Sequence, residues 1–246
     1  MATIMRTNEN SAVISKLKNG LIVSCQAPPN SPLNQPDIIA AMARVAEQQG
    51  AVAVRINGVE NIRAVRRRVS IALIGLEKRQ FDGSPVYITP TWELVRHVYR
   101  AGADIVALDC TDRPRPDGQS LAKIIQNARG KLGAPVMADV ATVEQGLAAI
   151  ALGADLVATT LHGYTGEAQA FREPAFTLLE SLVRQAEVPV IMEGRVHTPE
   201  QLRRAFDLGA FAVVVGTAIT NLEWLVQRFI EATLIGKQVS SASGID

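Results

Sequence analysis

Five polar residues in this sequence each follow a short apolar run, at the point where a buried strand would end. They are Gln26, Arg55, Lys78, Asp139 and Glu193. An ordinary lysine has a pKa of about 10.4, too high for a base near neutral pH, but burial and a neighbouring arginine would both lower it. A neutral lysine could then remove a proton from a carbon next to a carbonyl, with a carboxylate as partner acid or base. A Schiff-base lysine is the rival role.

Two further segments carry residues suited to binding an anion. Gly194 and Arg195 follow one apolar run, and Gly216 and Thr217 follow the last one. Glycine lets backbone N–H groups approach an anion closely, and arginine adds positive charge. The pattern predicts a phosphate site, although glycine after a strand is also common in structural turns.

The composition argues against several other classes of protein. A net charge of +1 gives no electrostatic footprint for nucleic acid or an anionic membrane, and no apolar run reaches the ~18 residues of a membrane-spanning helix. Three scattered histidines, His97, His162 and His197, make no convincing metal site, and no nucleotide-binding fingerprint is present. We expect no cofactor.

Cys25 and Cys110 lie in separate apolar runs, which predicts two buried free thiols and a cytoplasmic protein.

The elements that must position these residues repeat along the chain. Four segments end a helical pattern with Gly-Ala and then enter an apolar run, and these pairs begin at Gly50, Gly102, Gly153 and Gly209. Four other apolar runs begin at positions 20, 70, 134 and 188, and helical patterns separate the runs. Such alternation predicts a parallel sheet covered by helices. A closed (β/α)8 TIM barrel fits the count and regularity better than an open doubly wound sheet.

We expect one barrel domain over residues 1–236. It would begin with a lead-in segment at 1–19, and the small, polar tail at 237–246 is predicted to be disordered.

Alternation along the strands predicts where the polar side chains point. Lys78 should face the same side as Ile74 and Leu76, and Glu193 the same side as Ile191. In a TIM barrel the chemistry lies at the carboxyl ends of the strands. The polar set should therefore converge on one pocket at that end.

Eight motifs, in order, resemble the N-acetylmannosamine-6-phosphate 2-epimerase family of sialic acid catabolism. They are GLIVSCQ, GAVAVRI, IGLEKRQF, ALDCTDRPRP, MADVAT, TTLHGYT, EGRVHTPEQ and VVGTAIT, and the resemblance runs from Gly20 to about Phe229. It implies a (β/α)8 barrel that interconverts N-acetylmannosamine 6-phosphate and N-acetylglucosamine 6-phosphate at carbon-2, without metal or nucleotide. It also implies a homodimer with an exchanged C-terminal helix, here about Leu222 to Ile235.

The resemblance further implies a role for each matching residue. Lys78 would remove and return the carbon-2 proton, and Glu193 would assist through substrate hydroxyls and ring opening. The residues expected to hold the sugar are Gln26, Arg55, Asp139, Thr160 and Tyr164. Those expected to bind phosphate are Gly194, Arg195, Gly216 and Thr217.

Two positions depart from the family pattern. Glu77 stands where an apolar residue is usual, and alternation predicts that it points away from the pocket. Asn221 stands where an arginine is usual, and losing a charge-assisted contact to phosphate would cost about 1.5–3 kcal/mol of binding. Either Arg195 offsets this loss or the substrate differs from the 6-phosphate. The alternatives to an epimerase are a Schiff-base lyase on a phosphate-binding barrel and a non-catalytic phosphosugar-binding barrel.

Overall fold

Eight parallel strands close into a barrel in which each strand pairs with the next and the last pairs with the first. The structure is a computed structural model and describes residues 10–165 and 173–233. The strands are Leu21–Cys25 (β1), Ala53–Asn57 (β2), Ala72–Leu76 (β3), Ile105–Asp109 (β4), Val136–Asp139 (β5), Leu156–Ala158 (β6), Val190–Glu193 (β7) and Ala212–Val215 (β8). The predicted TIM barrel is confirmed.

Helices follow the strands and cover the barrel from outside. They are Pro36–Gln48 (α1), Val59–Arg66 (α2), Trp92–Arg100 (α3), Leu121–Asn127 (α4), Val143–Ala151 (α5), Phe176–Gln185 (α6), Pro199–Asp207 (α7), Thr217–Thr220 (α8) and Leu222–Glu231 (α9). A 3-10 turn at Pro116–Gly118 precedes α4, and a π-helical stretch at Ala128–Leu132 extends it.

Local sequence signals account for where these helices begin and end. Thr91, Thr142 and Thr198 each accept a backbone N–H bond at the start of α3, α5 and α7, as N-cap threonines do. All four glycines of the Gly-Ala repeat have positive φ, between 91° and 113°. Glycine adopts this conformation without steric cost, so it ends the helix and turns the chain into the next strand.

The strands separate two apolar layers. Ile74, Leu76 and Ile191 pack in a cluster inside the barrel, as alternation predicted. Their neighbours Leu73 and Met192 point outwards into the layer beneath the helices. Ile74 and Leu76 are fully buried, and burial of such a side chain contributes about 1.5–3 kcal/mol. This packing sets the direction in which the next inward-facing residue, Lys78, leaves the strand.

The chain ends are described only in part. Within the lead-in segment, residues 10–15 are helical. The tail predicted to be disordered, 237–246, lies outside the described residues, and so does Ile235 at the end of the predicted C-terminal helix. In the described ranges, no helix combines the length and apolar character needed to span a membrane.

Candidate active site

A cavity of about 440 Å³ opens at the carboxyl ends of the strands. This volume lies within the range of small-molecule sites. All of the predicted site residues except Asp139 line it. Asp139 is fully buried beneath its floor and reaches the cavity through other side chains.

An arginine with two carboxylates forms the floor of the cavity. Arg55 is 1% exposed and its Nη2 lies 2.5 Å from Oδ2 of Asp139. Its Nη1 contacts Oε1 of Glu193 and lies 3.4 Å from Oγ1 of Thr160. Thr160 in turn donates to Oδ1 of Asp139 at 2.6 Å. The strands β2, β5 and β7 thus place one buried cation between two acids.

Charges in this group shift one another's proton affinities. Burial alone would lower the pKa of Arg55, but Asp139 and Glu193 raise it overall, so the guanidinium stays charged. Burial raises the pKa of Asp139, and the positive charge of Arg55 limits that rise. A buried ion pair of this kind is stable only while every partner is present.

Lys78 projects into the cavity two residues beyond the end of β3. Its Nζ donates to Oε1 of Gln26 at 2.8 Å, and Nε2 of Gln26 donates to Oγ of Ser24 at 2.8 Å. Its backbone N–H donates to Oδ1 of Asn57 at 2.8 Å. The side chain of Lys78 is therefore held by the residue after β1, and its backbone is held by the last residue of β2.

The surroundings of Lys78 favour its neutral form. Burial among protein groups lowers its pKa first, and the charge of Arg55 lowers it further, while Glu193 and Asp139 oppose the change. By its accessible surface, however, Lys78 is an exposed residue that faces the water of the open cavity, so the lowering is smaller than in a dry interior. The neutral amine needed by a base is therefore more accessible here than in an ordinary lysine.

Two buried polar atoms in the residues of the cavity floor lack hydrogen bonds within the described part of the chain. Across the described ranges, no hydrogen-bond partner is present for Nε of Arg55 or Oε2 of Glu193. Native proteins leave few such atoms unpaired. One donor and one acceptor thus lie unsatisfied in two residues that line the cavity.

The segments after β7 and β8 form the opposite side of the cavity. Gly194 has φ 106°, and a Cβ on Gly216 would lie 3.1 Å from Cβ of Ser24. Both positions therefore favour glycine, one for its backbone angle and one for its close packing. Thr217 also lines this side, at the start of α8.

Arg195 lines the same side but already has protein partners. Its Nη1 donates to the carbonyl oxygen of His162 at 2.7 Å and its Nη2 to that of Gly163 at 3.0 Å. The guanidinium lies 4.1 Å from the centre of the Tyr164 ring. Arg195 therefore fixes the segment after β6, which the sequence did not indicate, and still brings a positive charge to the cavity.

The two departures from the family pattern have structural roles. Oε2 of Glu77 accepts the N–H of Val59 at 3.0 Å, at the start of α2, so Glu77 does point away from the cavity. Asn221 lines the cavity, and its Oδ1 accepts the N–H of Trp224 at 2.9 Å, which caps α9. Neither contact involves Lys78.

Several cavity residues were missed by the sequence analysis. Asn57 follows Arg55 on the same face of β2, so alternation could have identified it. Tyr87 lines the cavity from the segment that returns after Lys78, and burial with Asp139 and Asp109 raises its pKa. Thr159 is buried and does not line the cavity, but it accepts the N–H of Glu193 at 3.0 Å and donates to its carbonyl at 2.8 Å. No local signal indicates the last two.

The two cysteines and the possible metal ligands of the described residues form no second reactive site. Cys25 and Cys110 are free and buried, and burial raises the pKa of Cys25 to about 12, so its thiol stays protonated. Over residues 10–165 and 173–233, no cluster of His, Cys, Asp and Glu side chains could hold a metal ion. The cavity residues can therefore move protons, stabilise negative charge and bind an anion.

Comparison with known proteins identifies the family to which the sequence is similar. Residues 39–234 match the sequence model of a family described as "Putative N-acetylmannosamine-6-phosphate epimerase". Relatives described as "Putative N-acetylmannosamine-6-phosphate 2-epimerase" include one from Synechococcus elongatus, 51% identical over 89% of this chain and 95% of its own. Another, from Caldanaerobacter subterraneus, is 48% identical over 89% of this chain and 92% of its own.

A solved structure extends the agreement to three dimensions. The N-acetylmannosamine-6-phosphate 2-epimerase from Clostridium perfringens superposes with a TM-score of 0.86 at 40% identity, over 89% of this chain and 96% of its own. Fold, sequence and the order of the motifs point to one assignment. The chain belongs to the N-acetylmannosamine-6-phosphate 2-epimerase family.

Proposed function

We propose that this chain interconverts N-acetylmannosamine 6-phosphate and N-acetylglucosamine 6-phosphate by removing and returning the proton on carbon-2. The observation that carries the proposal is the amine of Lys78, held by Gln26 in the cavity with a lowered pKa. The family to which the chain belongs supports the choice of substrate.

The chemistry follows from the acidity of the open-chain sugar. Carbon-2 lies next to the aldehyde, so its C–H bond can be broken by a base, and the electron pair moves onto the aldehyde oxygen as an enolate. Neutral Lys78 takes the proton. The unpaired Nε–H of Arg55 is the donor that we assign to the enolate oxygen. Return of the proton from Lys78 to the other face of carbon-2, after the substrate rotates, gives the epimer.

Glu193 assists this reaction from the floor of the cavity. Its Oε1 is engaged with Arg55, while Oε2 is unpaired in the described part of the chain. That oxygen suits a substrate hydroxyl. Accepting the proton of the carbon-1 hydroxyl, and returning a proton to the ring oxygen as its bond to carbon-1 breaks, would open the sugar ring. The carboxylate thus both orients Arg55 and binds the sugar.

The remaining predicted residues divide between sugar and phosphate. Gln26, Thr160 and Tyr164 face the sugar, and Asp139 acts beneath them by holding Arg55 and Thr160. Gly194, Gly216 and Thr217 approach the phosphate with backbone groups, and Arg195 supplies its charge there. Asn221 offers a neutral amide on the same side.

We also propose a homodimer in which α9 packs against a second copy. The helix has no buried residue, and four of its apolar side chains are about half exposed or more. These side chains are Leu222, Val226, Phe229 and Ile230. Their spacing places them on one face of the helix. Light scattering of the wild type and of Phe229→Glu tests this, since the variant should be monomeric.

The compartment is a further proposal. Two buried cysteines without a disulfide suit the reducing cytoplasm. Fractionation of expressing cells, followed by detection of the chain, measures where it resides.

Proton NMR in deuterated water tests the proposed activity directly. Either 6-phosphate should be converted into a mixture of the two epimers, and deuterium should replace the proton on carbon-2. Unphosphorylated N-acetylmannosamine, run beside it, should react more slowly because the phosphate contacts are lost. Folded protein that causes neither conversion nor exchange would refute the epimerase, and substrate trapped on Lys78 by borohydride would indicate a Schiff-base enzyme.

A further inference from the structure

The segment that carries Lys78 is inserted into the barrel wall in an unusual way. Strand β3 pairs with β4 only at Ile74–Ile105 and Gly75–Val106. Above that level the chain after β3 folds back on itself, and Lys78 forms an antiparallel bridge with Ile88. The N–H of Asp109 donates to the carbonyl of Ile88 at 3.0 Å. The returning segment at Ile88 therefore lies between β3 and β4 at the mouth of the barrel.

Thr89 directly follows the bridging residue Ile88 and has a conformation that threonine rarely adopts. Its φ is 44°, in the left-handed region, and its side chain is fully buried. A β-branched residue with positive φ is a true conformational outlier. Such residues persist where the surrounding structure holds them, and they concentrate at functional sites.

Three hydrogen bonds hold Thr89 in place. Its N–H donates to the carbonyl of Glu77 at 2.8 Å. Its hydroxyl accepts the N–H of Glu77 at 3.1 Å and donates to the carbonyl of Ala107, on β4, at 2.7 Å. The hydroxyl of Thr89 thus joins β4 to the N–H of Glu77, the residue that immediately precedes Lys78, and the backbone N–H of Thr89 holds the carbonyl of Glu77.

We propose that Thr89 is a positioning residue for the catalytic lysine. It touches no substrate; it fixes the backbone of Glu77, and through it the height and direction at which Lys78 reaches Gln26. Thr159 holds the backbone of Glu193 in a related way, because its hydroxyl accepts the N–H of Glu193 and donates to its carbonyl. The inference rests on the proposed function, in which Lys78 is the base.

Loss of the Thr89 hydroxyl should displace Lys78 and so reduce the rate of the folded enzyme. Without the hydroxyl, the segment at Glu77 can shift, and Nζ of Lys78 moves away from Gln26, Arg55, Glu193 and Asp139, the groups that face it. A catalytic group displaced by about 1 Å can cost about 100-fold in rate. A threonine that only stabilised the barrel would leave the rate of the folded enzyme unchanged.

The test compares substitutions at Thr89 with one at a matched threonine. Thr89→Val keeps the shape and loses both hydroxyl bonds, and Thr89→Ser keeps the hydroxyl without the β-methyl group. Thr89→Ala loses the same bonds with less crowding, and replaces the valine variant if that variant does not fold. Thr91→Val is the control, because it removes a buried hydroxyl that caps α3 outside the cavity. Its stability should fall while kcat stays unchanged.

For Thr89→Val we expect kcat for epimerisation to fall about 10- to 100-fold, with KM nearly unchanged. The midpoint of the kcat–pH profile should also move upward, towards that of an ordinary lysine. Thr89→Ser should keep wild-type kcat and profile. An unchanged kcat and profile in folded Thr89→Val, or an equal loss in Thr89→Ser, would overturn the inference.

A second readout does not depend on turnover. The pH dependence of Lys78 labelling by an amine-reactive anhydride, followed by mass spectrometry, reports the neutral fraction of the amine. The labelling midpoint should rise in Thr89→Val and not in Thr91→Val. If the wild type lacked epimerase activity, this result would still decide whether Thr89 positions the lysine, and equal midpoints in all variants would reject it.

Discussion

The Nζ atom of Lys78 lies 2.8 Å from Oε1 of Gln26, which joins the ends of two strands that are not neighbours in the barrel. An amide oxygen can only accept, so the lysine must use one of its N–H groups here. The amide nitrogen of Gln26 is itself committed to Ser24. When the amine is neutral, its lone pair is therefore directed elsewhere, and the open cavity is the space that remains.

Changing Gln26 should therefore alter the lysine in a predictable direction. Gln26→Glu places a carboxylate beside the amine, which stabilises its charged form and raises its pKa. At pH 7 we expect kcat to fall about 10-fold or more, and a higher pH should recover much of it. Gln26→Leu, which adds no charge, should lower kcat without that recovery. Profiles of kcat against pH distinguish the two, and superimposable profiles for Gln26→Glu and wild type would contradict the contact.

The wild-type enzyme should show a rising limb in its pH profile. Burial, and then Arg55, lower the pKa of Lys78 from its ordinary value of 10.5. The neutral amine is the active form, so kcat should increase with pH and then reach a plateau. The midpoint of this rise should lie below pH 10.5. The same lowering means that the unfolded chain binds more protons between the two values, so stability should also rise with pH in that window. A midpoint at or above 10.5 would show that the cavity does not tune this lysine.

Replacing Arg55 should destabilise the barrel strongly. Arg55→Met leaves Asp139 and Glu193 buried without their cation, and such a loss costs about 3–5 kcal/mol. The matched control is Arg63→Met, which breaks an exposed pair with Glu60 and should cost at most about 1 kcal/mol. Urea unfolding measures both. If the two variants unfolded at the same urea concentration, the buried pair would have no stabilising role.

Glu77 should matter for stability and not for catalysis. Glu77→Gln keeps a hydrogen-bond acceptor for the N–H of Val59 but removes the negative charge from the start of α2. We expect a loss of about 0.3–1 kcal/mol and an unchanged kcat. Thermal unfolding together with steady-state kinetics checks this, and a large fall in kcat would place Glu77 in the catalytic machinery.

The sequence is sufficient to predict the barrel because its strands and helix ends are local features. Alternation from Ile74 through Leu76 also directs Lys78 inwards and Glu77 outwards, as the structure has them. The attachment of Arg195 to His162 and Gly163 depends on the course of the segment after β6, which no spacing reveals. Likewise, the positive φ of Thr89 occurs where a returning segment enters between β3 and β4. Such long-range contacts override the ordinary preference of threonine for extended backbone.

The central claim is that Lys78 carries the proton of carbon-2. The most direct measurement is exchange of that proton in deuterated water, followed by NMR for the wild type, for Lys78→Met and for Lys123→Met, an exposed lysine on α4 that serves as control. Substrate binding, measured by calorimetry, should persist in both variants. We predict rapid exchange with the wild type and Lys123→Met and none with Lys78→Met. Exchange at a near-normal rate with folded Lys78→Met would contradict the account.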